Sequence, residues 1–186
     1  YNLNEATGVD FPGEGSGFLT DVSEWSTIQA YNVSFGQGIS VTPLQITRFY
    51  GALVNDGVEC TPHFLMQRLN SDEQPQWGTE QVIQNKAAIG TMTDMLTTVV
   101  EDGTGKDAAI EGYTVAGKTG TAEYASESGG YVKGSYNISF VGYLPNSNSQ
   151  LVCFVGATEV PAERSTTSAF GDIMSFATER YRIVAE

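Results

Sequence analysis

The sequence is poor in cysteine, histidine and positive charge, and each shortage excludes something. Cys60 and Cys153 are the only cysteines among 186 residues. Cys153 sits in the apolar run Leu151-Val152-Cys153-Phe154-Val155, a usual place for a small buried hydrophobe, while Cys60 lies in a turn-like stretch. Both are expected as free thiols, and two cysteines do not fix a redox compartment. His63 is the single histidine, and no cysteine or carboxylate falls at a ligand spacing from it, so no metal and no cofactor is expected. Nine Lys and Arg stand against 22 Asp and Glu, a formal net charge of −13. Such a surface repels nucleic-acid backbones and anionic lipid, so no nucleic-acid partner is expected. No apolar run approaches the length of a membrane span. There is no initiator Met and no signal peptide, and the opening Tyr1-Asn2-Leu3 reads as a cut from a longer protein.

What is present is ordinary for a globular domain: 40% hydrophobic and 17% charged residues, with enough chain for one sizeable core. Residues 1–40 are rich in Gly, Ser and Asn and are expected to be mostly irregular. Thr42-Pro43-Leu44-Gln45 then opens a helix, with Thr42 as cap, Pro43 in the first position and Gln45 completing a capping box. Asn55-Asp56-Gly57 stops it. Residues 62–70 read as a strand and 71–80 as a polar loop. A second helix is expected from about Lys86 to Glu101, with Ile89, Met92, Leu96 and Val99 at helical spacing. Three strands follow, Tyr113–Ala122, Tyr136–Leu144 and Gln150–Thr158. A Gly- and Ser-rich loop, Ser126–Gly134, separates the first two. A short polar turn, Asn146–Ser149, makes the second pair an antiparallel hairpin. A last helix, about Thr166 to Val184, is expected to bury Phe170, Ile173, Phe176, Ala177 and Tyr181. The fold class is α+β, an antiparallel sheet packed by helices.

One stretch carries chemistry. Lys118-Thr119-Gly120-Thr121-Ala122 follows the β-prone run Val115-Ala116-Gly117. A Lys-Thr-Gly on a strand is one of three motifs of serine acyl enzymes, with Ser-x-x-Lys and Ser-x-Asn. The residues three before Lys86, Lys106, Lys118 and Lys133 are Ile83, Gly103, Val115 and Gly130, so the chain has no Ser-x-x-Lys. Ser135-Tyr136-Asn137 matches Ser-x-Asn as a string, but it follows Lys118 at the start of a strand. The same lysine fits a rival pattern: Gly112 to Thr119 spells G-x-x-x-x-G-K-T, the phosphate loop of a nucleotide-binding domain. Such a loop opens a helix, whereas Tyr113–Ala116 prefer a strand and nothing after Thr119 has a helical period. The run 151–155 also lacks the terminal aspartate that would hold magnesium.

The order of the motifs is more specific than any one of them. Gly8-Val9-Asp10-Phe11-Pro12-Gly13-Glu14 precedes Gly36-Gln37-Gly38-Ile39-Ser40-Val41-Thr42-Pro43-Leu44-Gln45. Ala116–Ala122 follows, and then Ser139-Phe140-Val141-Gly142-Tyr143-Leu144-Pro145. This series resembles the C-terminal part of the transpeptidase domain of class B penicillin-binding proteins over nearly the whole chain. The resemblance implies a partial transpeptidase (β-lactamase-like) fold, with residues 1–186 the C-terminal portion of a single domain. The segments bearing Ser-x-x-Lys and Ser-x-Asn would lie upstream. It implies a parent serine D,D-transpeptidase, extracytoplasmic and membrane-anchored through a segment outside this chain, with peptidoglycan stem peptides and β-lactams as ligands. The isolated chain is expected to be inactive. The missing part of the domain would be its first partner, and self-association would follow from the face left uncovered. The alternatives are a non-catalytic pseudoenzyme or peptide-binding module and, further off, the phosphate-loop protein.

By the same resemblance, Lys118 brings positive charge to the substrate carboxylate and to proton transfer. The Thr121 N–H supplies half of an oxyanion hole, and the hydroxyls of Thr119 and Thr121, on one side of a strand, bind the carboxylate. Gly120 leaves room for substrate backbone to pair along the strand edge. Glu123 flanks the site and reads as a solvated charge. Asp21, Glu24 and Trp25 carry no motif, and Trp77 reads as loop packing.

Overall fold

The computed structural model describes residues 3–126, 129–149, 151–161 and 163–185. Tyr1 and Asn2, positions 127–128 of the expected Gly/Ser loop, and Gln150 at the head of the expected third strand lie outside the described residues.

Irregular chain leads through a 3-10 turn, Val22–Glu24, into helix α1 (Thr27–Ser34) and then helix α2 (Pro43–Val54). A two-stranded ribbon of β1 (Val58–Cys60) and β2 (Thr79–Gln81) is antiparallel, with Glu59 opposite Glu80. Helix α3 (Lys86–Glu101), a 3-10 turn (Lys106–Ala108), strands β3 (Ala116–Ala125), β4 (Tyr131–Tyr143) and β5 (Val152–Val160), and helix α4 (Thr167–Tyr181) follow. Among the described residues, no helix is long and apolar enough to cross a membrane.

Local chemistry sets most of these boundaries. At α2 the Thr42 hydroxyl accepts from the Gln45 N–H while Gln45 Oε1 accepts from the Thr42 N–H at 2.7 Å, a complete capping box with Pro43 inside it. The helix ends where Asp56 and Gly57 take positive φ of 54° and 86°. Gly57 is forced to lack a side chain, because a Cβ there would press on the Ile83 carbonyl. Asn85 caps α3 by accepting from Ala87 and Ala88.

Residues 1–40 are mostly irregular, as expected, apart from the 3-10 turn and α1, whose Ser26 cap accepts from the Gln29 N–H though the helix buries no residue. Four expectations are corrected. Residues 62–70 form no strand. Phe64, Met66 and Leu69 are all exposed there, and the extended pairing falls to β1 and β2 on either side. The face of α3 that packs inward carries Leu96 and Val100, with Ile89 against the core, while Met92 points outward. On α4 the buried face is Thr167, Phe170, Gly171, Met174, Ala177 and Thr178, which leaves Ile173, Phe176 and Tyr181 exposed. The strands also start later or earlier than expected, β3 at Ala116 and β4 at Tyr131, so the Gly/Ser loop is shorter.

β3, β4 and β5 form an antiparallel meander with β4 in the centre. Ala116 pairs with Tyr143 and Thr119 with Phe140, so Tyr143 and Phe140 project to opposite faces. One face carries Phe140 and Val115 against Phe170 and Met174 of α4, with Ala108, Ile110 and Ile183 around them. The other carries Ala116 and Tyr143 against Leu53 of α2 and Leu96 of α3. The rings of Phe140 and Phe170 meet edge to face, centroids 4.7 Å apart, both fully buried. Truncating either to alanine is expected to cost about 3–5 kcal/mol. Helices on both faces of an antiparallel sheet fix the position of β3, the strand that carries the motif.

Candidate active site

Lys118, Thr119, Gly120 and Thr121 occupy the middle of β3, at one edge of the three-stranded sheet. The strand is anchored on its inner side by β4: Lys118 pairs with Val141, Thr119 with Phe140, Gly120 with Ser139 and Thr121 with Ile138. Lys118 and Thr121 are exposed, and Thr119 and Gly120 are half-buried. The Lys118 ammonium donates to the Thr119 carbonyl at 2.9 Å. Alternation puts Thr119 and Thr121 on one face and Lys118 and Gly120 on the other.

Two glycines shape the site. A Cβ on Gly120 would lie 2.5 Å from Ser139 Oγ, a hydroxyl that can turn aside. Gly117, one residue before Lys118, is more constrained, because a Cβ there would run into the Phe140 ring and come within 2.8 Å of the Val141 carbonyl oxygen. Beyond the motif the register slips between Glu123 and Ala125, a bulge at the distal end of β3. Glu123 sits just before it, exposed.

Sequence reasoning overlooked Thr104. It lies between two glycines in the loop after α3, and its hydroxyl is 2.7 Å from that of Thr119. The signal available was the Gly103-Thr104-Gly105 triplet, which reads as a bare helix stop.

The other candidates fall away from the site. Ser135 and Asn137 lie within β4, where Asn137 pairs with Ala122. Ser135 is six residues from Val141, the partner of Lys118, so roughly 20 Å along the strand from the lysine. Lys118 and Thr119 lie inside a strand rather than at a helix start, which overturns the phosphate-loop alternative. His63 stacks on Trp77 with centroids 4.5 Å apart and planes 6° from parallel, and its Nδ1 is 2.9 Å from the Thr61 carbonyl. Asp21 caps the first 3-10 turn through Ser23, and the Trp25 indole donates to the Thr20 carbonyl. Cys60 and Cys153 are both free. No cluster of three metal-ligating side chains occurs among the described residues. Burial, then the neighbouring Tyr143, pushes the Tyr50 phenol up to about 12. Burial also raises Tyr143, whose hydroxyl pairs with that of Thr93 at 2.8 Å. Both stay protonated at neutral pH and pack the core rather than move protons.

An exposed ammonium and two threonines on one face thus stand at the edge of a rigid sheet. Residues 1–175 match the family described as the penicillin-binding protein transpeptidase domain, and the chain belongs to that family. It is 33% identical over 160 residues to stage V sporulation protein D of Bacillus subtilis, covering 83% of this chain and 25% of that protein. It is 32% identical over 201 residues to the penicillin-binding protein PbpB of Mycolicibacterium smegmatis, covering 98% of this chain and 31% of that one. The fold superposes on penicillin-binding protein 3 of Mycobacterium tuberculosis, solved with ampicillin, with a TM-score of 0.87 and 29% identity. That match covers 100% of this chain and 45% of the solved one. The chain thus spans about a quarter to a third of the length of these curated relatives.

Proposed function

We propose that residues 1–186 supply the Lys-Thr-Gly wall of a peptidoglycan D,D-transpeptidase that works through an acyl-serine intermediate and is acylated by β-lactams. The observation that carries this reading is Lys118-Thr119-Gly120-Thr121 held at the edge of a sheet whose fold matches a penicillin-binding protein solved with ampicillin. In this reading the terminal carboxylate of a D-Ala-D-Ala stem peptide lies against the Thr119 and Thr121 hydroxyls, with Lys118 adding positive charge. The scissile carbonyl then sits beside the Thr121 N–H, one of two oxyanion donors. A serine hydroxyl attacks that carbonyl, the C–N bond breaks, and the terminal D-Ala leaves with the proton the serine gave up. A second stem peptide's amine then attacks the acyl-serine ester, the C–O bond to the serine breaks, and the proton lost by the amine returns to the serine oxygen. Gly120 keeps the edge open to peptide backbone pairing alongside β3.

The nucleophile and its lysine base come from outside residues 1–186, because none of the four lysines has a serine three residues before it. The isolated chain is therefore silent. Its first partner is the remainder of the domain, which covers the exposed side chains of α1 and α4. Without that cover the chain self-associates through Ile28, Tyr31 and Phe35 or Ile173, Phe176 and Tyr181. Peptidoglycan lies outside the cytoplasmic membrane, so the enzyme works there, anchored through a segment beyond these residues.

Mass spectrometry of the intact protein after penicillin treatment tests this. The expected adduct is on a serine outside residues 1–186, and Lys118→Ala slows its formation by at least about a hundredfold. An intact protein that takes no adduct supports a peptide-binding module instead.

A further inference from the structure

α3 ends in a loop with little freedom. The Asp102 and Gly103 N–H groups both return to the Thr98 carbonyl, at 2.9 and 3.1 Å, and the Gly105 N–H to the Val99 carbonyl at 2.9 Å. A Cβ on Gly103 would lie 2.8 Å from the Val99 carbonyl oxygen. One on Gly105 would lie 3.1 Å from the same oxygen and 3.2 Å from the Phe140 ring. The loop is thus pressed against the helix end and against the core residue that pairs with Thr119. Between the glycines, Thr104 is the only side chain, and its Oγ1 lies 2.7 Å from Thr119 Oγ1.

We propose that Thr104 is a positioning residue: it donates to Thr119 Oγ1 and so turns the single Thr119 hydrogen toward a bound carboxylate. This rests on the reading that Thr119 is a carboxylate ligand. A threonine hydroxyl has one hydrogen and two lone pairs. With an anion bound, Thr119 spends its hydrogen on the anion and can offer Thr104 only a lone pair, so Thr104 has to be the donor. The chain Thr104 to Thr119 to carboxylate then runs head to tail, each bond polarising the next. With a neutral ligand nothing selects that direction. Thr104 therefore contributes to recognition of an anionic ligand more than to the stability of the loop, which its glycines and backbone bonds already hold.

The test uses the intact transpeptidase that contains this chain. Acylation rates are compared for a penicillin with a free carboxylate and for its methyl ester, in Thr104→Val, Thr104→Ser and Thr119→Val, and in the Thr104→Val, Thr119→Val pair. Thr104→Val is expected to slow the acid by about fivefold to tenfold and leave the ester essentially unchanged. Thr104→Ser restores the acid rate, and Thr104→Val adds nothing once Thr119 is valine. Equal losses for acid and ester, additive losses in the pair, or no loss at all would overturn the proposal. Thr104→Ala, read in the same way, replaces the valine variant if that one does not fold. Loss of acid selectivity in Thr119→Val with none in Thr104→Val removes Thr104 alone. An unmodified protein acylated by neither compound removes the transpeptidase reading and this proposal with it, whereas a Thr119→Val variant as fast as the unmodified one removes the carboxylate role of Thr119, and with it this proposal, and leaves the transpeptidase reading standing.

Discussion

The ring of Phe140 fills the space into which any side chain on Gly117 would project. Its Cε1 is 2.7 Å from that position, and the Val141 carbonyl oxygen is 2.8 Å away. The strand pairing next to Lys118 is therefore set by contact between a glycine and a core aromatic. Gly117→Ala has to shift β3 or the ring. It is expected to destabilise the fold by about 1–3 kcal/mol and to abolish penicillin acylation of the intact protein. Gly120→Ala differs, because its nearest obstacle is the Ser139 hydroxyl, which can rotate away. That variant should melt close to the unmodified protein while still losing acylation. Thermal melts and acylation rates of the two variants, side by side, check the contrast. Equal destabilisation would contradict it.

Gln45 ties the first part of the chain to α2. It is fully buried, with Nε2 donating to the carbonyls of Glu5 at 2.7 Å and Ser16 at 2.8 Å while Oε1 accepts from Thr42. Gln45→Leu keeps the volume and strands those partners. It is expected to cost about 2–4 kcal/mol and to expose residues 5–16 to proteolysis, read by urea unfolding and by the first cleavage site. A cost near zero would show that the N-terminal segment is held by something else.

Two carboxylates bind the loops near the start of the chain. The Phe64 N–H, at 2.7 Å, is the largest of the contacts holding Asp10 below its ordinary 3.8, with the Leu65 N–H at 2.9 Å helping. Burial pushes Glu14 up, but the Thr7 hydroxyl and the N–H groups of Thr7 and Gly8 outweigh it and leave the group below 4.5. A folded-state pKa below the unfolded one means these contacts contribute fully above the ordinary carboxylate pKa and are lost as pH falls through the depressed value. Amide-exchange protection at Thr7, Gly8, Phe64 and Leu65 is expected to hold from pH 7 to about 5 and to fall away below about pH 4. Asp10→Ala should remove the pH dependence at Phe64 and Leu65 alone. Protection that persists unchanged to low pH would contradict the assignment.

Helices with complete local signals were legible in the sequence. Thr42, Pro43 and Gln45 mark the start of α2, and Lys86–Glu101 coincides with α3. The hairpin of β4 and β5 followed from the polar turn between them, where Asn146 takes a φ of 56°. What failed depended on partners distant in sequence. α1 buries nothing, so no periodic apolar face announces it. The apolar residues at 64–69 imitate a strand, yet that segment is held to Asp10, 54 and 55 residues away. Ile173, Phe176 and Tyr181 share the helical period of α4 with its buried face, and only the position of the sheet tells the two apart. The site divides in the same way: Lys118–Thr121 is a contiguous motif, while Thr104 reaches Thr119 only through the fold.

The exposed apolar side chains of α1 and α4 bear on solution behaviour. Phe35 and Ile28 are 72% and 71% exposed, and Phe176 is 66% exposed. Light scattering of residues 1–186 alone should show mass rising with concentration, and Phe176→Glu with Ile173→Glu should lower it. A concentration-independent monomer would contradict the proposed uncovered face.

Labelling with a fluorescent penicillin, on residues 1–186 and on the intact protein and read on a denaturing gel, shows on which part of the protein the acylated serine lies. Label is expected on the intact protein and none on residues 1–186, as the proposal that the acylated serine lies outside these residues requires. Label on residues 1–186 would contradict it, with Ser135 the first residue to examine. An unlabelled intact protein would contradict the transpeptidase reading itself.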